Sequence, residues 1–432
     1  MKRIIYVLTL SVLLIAAFSC AKNKGVDADI QKQETAADKA ETEVLDVANQ
    51  NSKLAFELFN EVNTEGAGNV VFSPYSINSA FAMAYTGAAA NTAREMAAVM
   101  GYPKEVEKLG EEFHKSLSVM KEISNRKSAR LDIANALFDT EGNIKRLRPE
   151  YSKHLEYYFG SEMHGLDFSN PQHAADYING WVEKNTEKRI KDIVQPAQLA
   201  AKGDGLILVN TVYFKSPWLQ PFLNVDTQPM RFFLDTNGAE KNHMTTSMMQ
   251  RKGSYNYLSQ EDLQILEMPF EEEEMSMVFV LPQNMDKFEP DFNLENYQTW
   301  MNELNKEQMV QVFVPRFKLE ESLDDLTNEF EALGVKDAFD ADKADFSGIY
   351  LPGEARIYIS DFVHKAFLEV SEEGAEAAAA TQIGFAKTSI DVPKPEMPIF
   401  KLDRPFYSFL IHKPTREILF IAKVVEPEVF KQ

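Results

Sequence analysis

The 432-residue sequence predicts one large domain of the α+β class. Three observations support this class. Helical spacing of apolar residues dominates the first half, strand-like apolar runs dominate the second half, and the two kinds of segment do not alternate as βαβ units would require. No long Gly/Pro/Ser-rich linker and no internal repeat interrupts residues 45–432, so we expect a single domain over that range.

Helices are predicted mainly in the first half of the chain. Leu54 and Leu58 lie at helical spacing, as do apolar residues between Ile178 and Asn185. The Ala- and Met-rich stretch from Ser79 to Met100 predicts one buried helix, although Gly87 interrupts it. Strands are predicted over six apolar runs: Leu206–Phe214, Met275–Leu281, Val310–Phe317, Phe362–Val370, Phe406–Ile411 and Ile418–Val425.

The N-terminus has the pattern of an export signal. A short positive start is followed by an apolar run from Ile4 to Ala17, which is too short to span a membrane as a helix. Small residues then end at Cys20, the single cysteine, and this order resembles a bacterial lipobox, although Phe18 is bulkier than usual. We predict a lipoprotein signal peptide over residues 1–19 with lipid attachment at Cys20; an ordinary signal peptide is the alternative.

The segment after the signal is polar, and the whole chain is acidic. Residues 20–44 contain almost no large apolar side chains and predict a flexible tether. Lys and Arg total 45 against 66 Asp and Glu, a net charge of −21 without a basic cluster, so we expect no nucleic-acid partner. We expect a monomer outside the cytoplasm that contacts the membrane through its lipid only, at the outer membrane and on either its periplasmic or its external face.

No motif of a catalytic or metal site is present. The seven histidines include no H-E-x-x-H pair and no Cys/His cluster with zinc spacing, and the chain has no P-loop or G-x-S-x-G elbow. We therefore expect neither an enzyme nor a bound cofactor or metal. Asn210 stands out because an amide within an apolar strand needs hydrogen-bond partners, and His364, in a second apolar strand, is a candidate.

One Ala-rich segment, Ser371–Ser389, is compatible with two structures. Its composition has high helix propensity. As an extended strand it would have one small or apolar face, and a second face that carries its charge and its amide. Composition alone does not choose between a surface helix and a segment that can be either an exposed loop or a buried strand. The apolar face would consist of Ala375, Ala377, Ala379, Thr381, Ile383 and Phe385.

Six ordered blocks of the sequence resemble the serpin family: Asn69–Ile77, Val209–Lys215, Val312–Phe317, Val363–Ala366, Glu372–Thr381 and Arg404–Phe406. Two residues depart from the family pattern. Ala375 stands where the hinge usually has Thr or Ser, and Ala422 stands where glycine is usual. The resemblance implies a serpin fold over residues 45–432, with three β-sheets, about nine helices and an exposed reactive-centre loop.

The resemblance also implies an activity, the irreversible inhibition of serine proteases by insertion of the cleaved loop as a central strand of the main sheet. A non-inhibitory or substrate-like serpin at the cell surface is the alternative. The family pattern assigns Ser73, Ser76, Asn210 and His364 to a polar cluster where the sheet opens. It assigns the hinge and insertion strand to Glu373, Gly374, Ala375, Glu376, Ala377, Ala378, Ala379, Ala380 and Thr381.

The cleavage site follows from the family spacing counted from Gly374, which places it between Thr388 and Ser389. Lys387 is the alternative bait residue if the loop is one residue shorter. Thr388 suits elastase-like serine proteases and Lys387 suits trypsin-like ones, while some cysteine proteases are further candidate partners. The segment from Gly374 to Lys387 would span roughly 45 Å as a strand, enough to carry the bait across a domain of this size.

Overall fold

The structure, a computed structural model, describes residues 47–63, 68–126, 129–186, 188–202, 205–234, 242–323, 325–351, 357–375 and 397–427. These residues form both helices and strands, as the α+β class requires. The α-helices are α1 (residues 47–62), α2 (Pro74–Tyr85), α3 (Ala90–Met100), α4 (Val106–Ser124), α5 (Glu141–Ile144), α6 (Pro149–His154), α7 (Pro171–Asn185), α8 (Pro196–Lys202), α9 (Met285–Phe288), α10 (Leu294–Glu303) and α11 (Thr327–Leu333). The strands are β1 (Val70–Phe72), β2 (Arg130–Thr140), β3 (Glu162–Leu166), β4 (Leu206–Pro217), β5 (Gln228–Phe233), β6 (His243–Ser259), β7 (Leu263–Pro269), β8 (Met275–Pro282), β9 (Glu307–Pro315), β10 (Phe317–Leu323), β11 (Ile359–Val370), β12 (Gly374–Ala375), β13 (Ile399–Lys401), β14 (Phe406–His412) and β15 (Glu417–Val424).

The strands form two hydrogen-bonded sheets. The main sheet has the order β10-β11-β4-β2-β3, with β12 also on β4, and the second sheet has the order β1-β15-β14-β8-β7-β6-β9-β13, with β5 also on β6. The described residues therefore form two sheets rather than the expected three. The long strand β6 connects the whole second sheet, because it pairs with β5 and β9 along most of its length and with β7 at its end. The described residues contain more helices than the nine or so expected, because several helices are only one or two turns long.

Two predictions of secondary structure were wrong, because contacts with distant parts of the chain end the element earlier than the local pattern suggests. The predicted helix Ser79–Met100 is divided between α2 and α3, and the connection packs so closely that a Cβ on Gly87 would lie 2.2 Å from Ile349 Cγ1. The predicted strand Val310–Phe317 ends at Pro315, after which the chain passes from β9 in the second sheet to β10 in the main sheet. The other five predicted strands are confirmed, with ends that shift by a few residues.

The main sheet lies between two apolar layers. Every residue of α2 is buried, and α2 packs on one side of the sheet. Leu208 and Val212 of β4 point to this side, whereas Val209 and Tyr213 point to the side covered by α7. The alternation of β4 side chains therefore defines an α2 side and an α7 side of the sheet.

Glu417 is a fully buried carboxyl at a meeting point of four elements. It lies on β15, accepts a hydrogen bond from Asn51 of α1, and lies 3.4 Å from Ser116 Oγ of α4, which in turn contacts Tyr75 of α2. Burial raises the pKa of Glu417 to about 8, although the bonds from Asn51 and Ser116 oppose this shift. The folded protein therefore holds a proton here at neutral pH.

We expect this proton to make stability depend on pH. The unfolded chain releases it near pH 4.5, so the free energy of unfolding should fall as pH rises from 4.5 towards 8. In Glu417→Gln, whose amide is neutral throughout, this fall should be absent. Urea unfolding at pH 6 and pH 7.5 should show wild type losing about 2 kcal/mol relative to the variant. A stability difference that is the same at both pH values would contradict the assignment.

Candidate functional site

A buried polar cluster lies under the middle of the main sheet, where its central strands β11 and β4 pair directly. Asn135 of β2, Asn210 of β4 and His364 of β11 are opposite one another in the ladders. The N-terminus of α2 approaches from below with Ser73 and Ser76, and the Ser73 side chain caps the helix by accepting from the Ser76 N–H at 3.2 Å. A helix end and three strands therefore meet at one polar point.

The hydrogen bonds of this cluster determine the state of the histidine. The Ser73 N–H donates to His364 Nε2 at 3.1 Å, so Nδ1 carries the ring hydrogen and donates to Asn210 Oδ1. Asn210 Nδ2 donates to the Ser76 carbonyl at 2.7 Å and also contacts Asn135 Oδ1. Burial lowers the pKa of His364 to about 3, so the ring is neutral at physiological pH.

The structure thus brings together the four residues that the sequence assigns to the sheet-opening cluster, while their part in sheet opening stays a prediction. Asn135 is a fifth member that the sequence analysis missed. Its side chain donates to Ser79 Oγ at 2.9 Å, and its backbone carbonyl accepts from Ser161 Oγ. A polar residue within an apolar strand could have revealed Asn135, but the signal is weaker because β2 is only partly buried.

The start of the predicted hinge is a tight turn against the end of β4. Ser371 N–H and Oγ donate to the Gly374 carbonyl at 3.0 and 3.1 Å. Gly374 has φ +149°, and a Cβ there would lie 2.1 Å from the Ser216 carbonyl oxygen, so only glycine fits. Gly374 and Ala375 pair with Pro217 and Ser216 as the two-residue strand β12, and Ala375 is fully buried.

Glu372, the second residue of this turn, is held by a charge pair. Arg316 Nε donates to Glu372 Oε2 at 3.0 Å, Arg316 Nη2 donates to Oε1, and Thr227 Oγ1 donates to Oε1 at 2.7 Å. Burial raises the pKa of Glu372, but the hydrogen bonds from Arg316 and Thr227 outweigh it and lower the pKa. Removing either member of such a pair leaves a poorly solvated charge, which typically costs about 3–5 kcal/mol. The sequence analysis missed this anchor because its partners are far apart in the chain.

Backbone bonds add to this anchor through the turn that follows β4, residues 218–222, which we call the clasp. The N–H groups of Trp218 and Phe222 donate to the carbonyls of Glu373 and Glu372, each at 2.8 Å, and Trp218 Nε1 donates to the Ser371 carbonyl at 2.9 Å. The Trp218 ring stacks on Phe270 with centroids 4.4 Å apart. The clasp therefore binds three consecutive carbonyls at the start of the hinge, those of Ser371, Glu372 and Glu373.

Several predicted residues lie outside the described residues. These are lipid attachment at Cys20, the signal peptide and the tether, the hinge residues Glu376–Thr381, the alternative bait Lys387 and the bond between Thr388 and Ser389. In the described ranges, no group of three or more His, Cys, Asp or Glu side chains could hold a metal ion. Across the same part of the chain, no helix has both the length and the apolar character needed to cross a membrane.

Comparison with known proteins gives consistent matches. A family model described as "Serpin (serine protease inhibitor)" matches residues 49–427. Mouse leukocyte elastase inhibitor A is 35% identical over 394 residues, which cover 88% of this chain and 99% of that protein. Human antithrombin-III is 31% identical over 463 aligned residues, covering 99% and 97% of the two chains. The crystal structure of human thyroxine-binding globulin with its hormone has a TM-score of 0.77 at 26% identity and covers 89% of this chain and 99% of its own.

We expect His364 to make the native state sensitive to acid. The unfolded chain binds a proton at this histidine below pH 6.5, but the folded chain does not until about pH 3, so stability should fall as pH falls through this window. The raised pKa of Glu417 acts in the opposite direction over this range, so the loss must be measured against a His364 variant: between pH 6.5 and 5, urea unfolding should show wild type losing about 2 kcal/mol relative to His364→Gln. In His364→Gln, whose amide can bond Ser73 and Asn210 without titrating, this loss should disappear. Parallel pH profiles for the two proteins would count against a neutral His364.

Proposed function

Since this chain belongs to the serpin family, we propose that it inhibits serine endopeptidases irreversibly, as a suicide substrate. The family model is described as one of serine protease inhibitors, and the mouse relative is named an elastase inhibitor, so the names point to inhibition rather than to an enzyme. The protease serine attacks the carbonyl carbon of Thr388, the bond to Ser389 breaks, and the amine of Ser389 leaves with a proton. Thr388 is then joined to the protease as an ester. Insertion of the loop into the main sheet carries that ester away before water hydrolyses it.

The pairing of β12 with β4 is the observation that carries this proposal. Gly374 is opposite Pro217 and Ala375 is opposite Ser216, so the hinge runs antiparallel to β4 and starts at its C-terminal end. If this register continues, Thr381 comes opposite Asn210, and Phe385 comes opposite Leu206 at the start of β4. The insertion strand then matches β4 in length, and Thr388 follows just beyond the far end.

The same register supports the two predicted faces of the insertion strand. Directly paired residues of antiparallel strands point to the same side of a sheet. Asn210 and Val212 point to the α2 side, so Thr381 and Ala379 would also enter that core, as would Ala375 and Ala377. Glu376 and Ala378 would point to the α7 side. Small side chains on the α2 side let the strand enter between β11 and β4 without a large steric barrier.

The direct test mixes the protein with trypsin and with an elastase and examines the products on denaturing gels. We expect an SDS-resistant band at the combined mass of inhibitor and protease, and a released fragment that begins at Ser389 with elastase or at Thr388 with trypsin. Lys387→Ala should remove the trypsin complex and leave the elastase complex. Complete cleavage without the band, as in a substrate-like serpin, would refute inhibition, and cuts elsewhere would refute the assigned bait.

A pair of neighbouring substitutions tests the insertion register. Ala377→Glu places a carboxylate on the α2 side, opposite buried Phe214, and this charge should slow insertion so that most molecules are cleaved as substrate. Ala378→Glu places the same charge on the other face, which already carries Glu376. The number of inhibitor molecules consumed per protease inhibited should rise about tenfold in the first variant and about twofold at most in the second. Equal effects of the two substitutions would exclude this register.

A further inference from the structure

We propose that Arg251 is a positioning residue for the reaction: it holds the clasp closed on the hinge, so that insertion starts from the preformed pairing of β12. This rests on the proposed inhibitory function. Arg251 belongs to β6 of the second sheet, and its hydrogen-bond partners lie in the clasp rather than in the polar cluster. Its position is set by packing that no sequence motif marks.

The Arg251 guanidinium forms hydrogen bonds with the middle of the clasp. Nη1 donates to the backbone carbonyls of Gln220 and Pro221, the latter at 3.2 Å, and Nη2 donates to the side-chain carbonyl of Gln220. The guanidinium carbon lies 6.0 Å from the centroid of the Tyr255 ring, which limits its movement. A planar fork with several fixed donors can bridge such a set of acceptors, whereas an ammonium group cannot.

One peptide unit, between Pro221 and Phe222, connects Arg251 to the start of the hinge. The carbonyl of Pro221 and the N–H of Phe222 belong to the same planar trans peptide, so they point in opposite directions. Arg251 binds the carbonyl, and the N–H donates to the Glu372 carbonyl at 2.8 Å. A peptide held by Arg251 on one side therefore presents its donor to the hinge on the other side.

Arg251 also relates the two ends of the reactive loop to each other. Its backbone is opposite Val312 of β9, and Val312 is opposite Phe400 of β13. Strand β13 follows the loop in the chain, whereas Glu372 precedes it. Arg251, Val312 and Phe400 therefore form one row across three paired strands. Through this row, the segment that follows the loop is connected to Arg251, and Arg251 is connected through the clasp to the segment that precedes the loop.

The consequence is kinetic. After cleavage, insertion competes with hydrolysis of the ester, and the outcome decides between trapped protease and cleaved inhibitor. Starting a strand costs more than extending one, because the first pairs order the backbone with few hydrogen bonds in return. A closed clasp keeps Gly374 and Ala375 already paired with β4. Without Arg251 this start would be lost in part of the population, and insertion would be slower.

Arg251→Ala should therefore raise the number of inhibitor molecules consumed per protease inhibited several-fold, through insertion that is about tenfold slower. The rate constant for association with the protease should change less than twofold, because the bait is untouched. Arg251→Lys should have an intermediate effect, since one ammonium can reach only part of the acceptor set. Lys252→Ala is the matched control, because this exposed cation follows Arg251 in the same strand and should behave as wild type.

A second measurement is independent of inhibition. Hydrogen exchange at the Phe222 amide should be at least tenfold faster in Arg251→Ala than in wild type or Lys252→Ala, and intermediate in Arg251→Lys. Failure of wild type to trap any protease would overturn the proposed function, and the exchange rates would still decide whether Arg251 closes the clasp. Unchanged exchange at Phe222, or unchanged inhibitor consumption by a variant with faster exchange, would overturn the positioning proposal.

Discussion

Eight residue pairs join β11 directly to β4, from Ile359 opposite Leu206 to Phe367 opposite Tyr213. A strand that enters between them must separate every pair and break the bond between His364 and Asn210, which lies near the middle of the row. Separation leaves backbone groups unpaired until the new strand supplies partners on both sides. The closed sheet is therefore protected by a barrier, even if the opened and refilled sheet has more hydrogen bonds.

The polar cluster stabilises the closed sheet and makes the barrier to opening depend on the protonation of His364. A neutral His364 satisfies both of its ring nitrogens, and Asn210 connects β4 to α2 and to β2. Such a network is stable only when every member has its partner, because the surrounding core is apolar. Protonation of the histidine or loss of the amide would disturb three strands and a helix end together.

The start of the predicted hinge is fixed by contacts with both sheets, and insertion of the loop would begin from this point. The charge pair of Glu372 with Arg316 and the clasp both hold the chain before Gly374, and β12 is already paired after it. Arg316 lies where the chain passes from the second sheet to the main sheet. The pair of Glu372 with Arg316 therefore connects both sheets at the end of β4, where insertion of the loop would begin.

Part of this arrangement could be predicted from the sequence. The pairing of Asn210 with His364 could be predicted because an amide in an apolar strand must find a hydrogen-bond partner. His364 was a candidate partner because it is a polar residue in a second apolar strand. The division of Ser79–Met100 was not foreseeable. Ala-rich sequence continues on both sides of Gly87, and the break depends on Ile349 packing against this glycine.

By itself, the sequence determined the α+β class, most of the strands and the resemblance to the family, because periodicity and ordered motifs are local properties of a chain, while the alternating faces of the loop segment stay a prediction. Only the tertiary structure decided how the hinge is held. Glu372 meets Arg316, and Arg251 meets the clasp, across separations of tens of residues. Salt bridges and hydrogen bonds act over a few ångströms, so such pairs exist only once the sheets have brought the partners together.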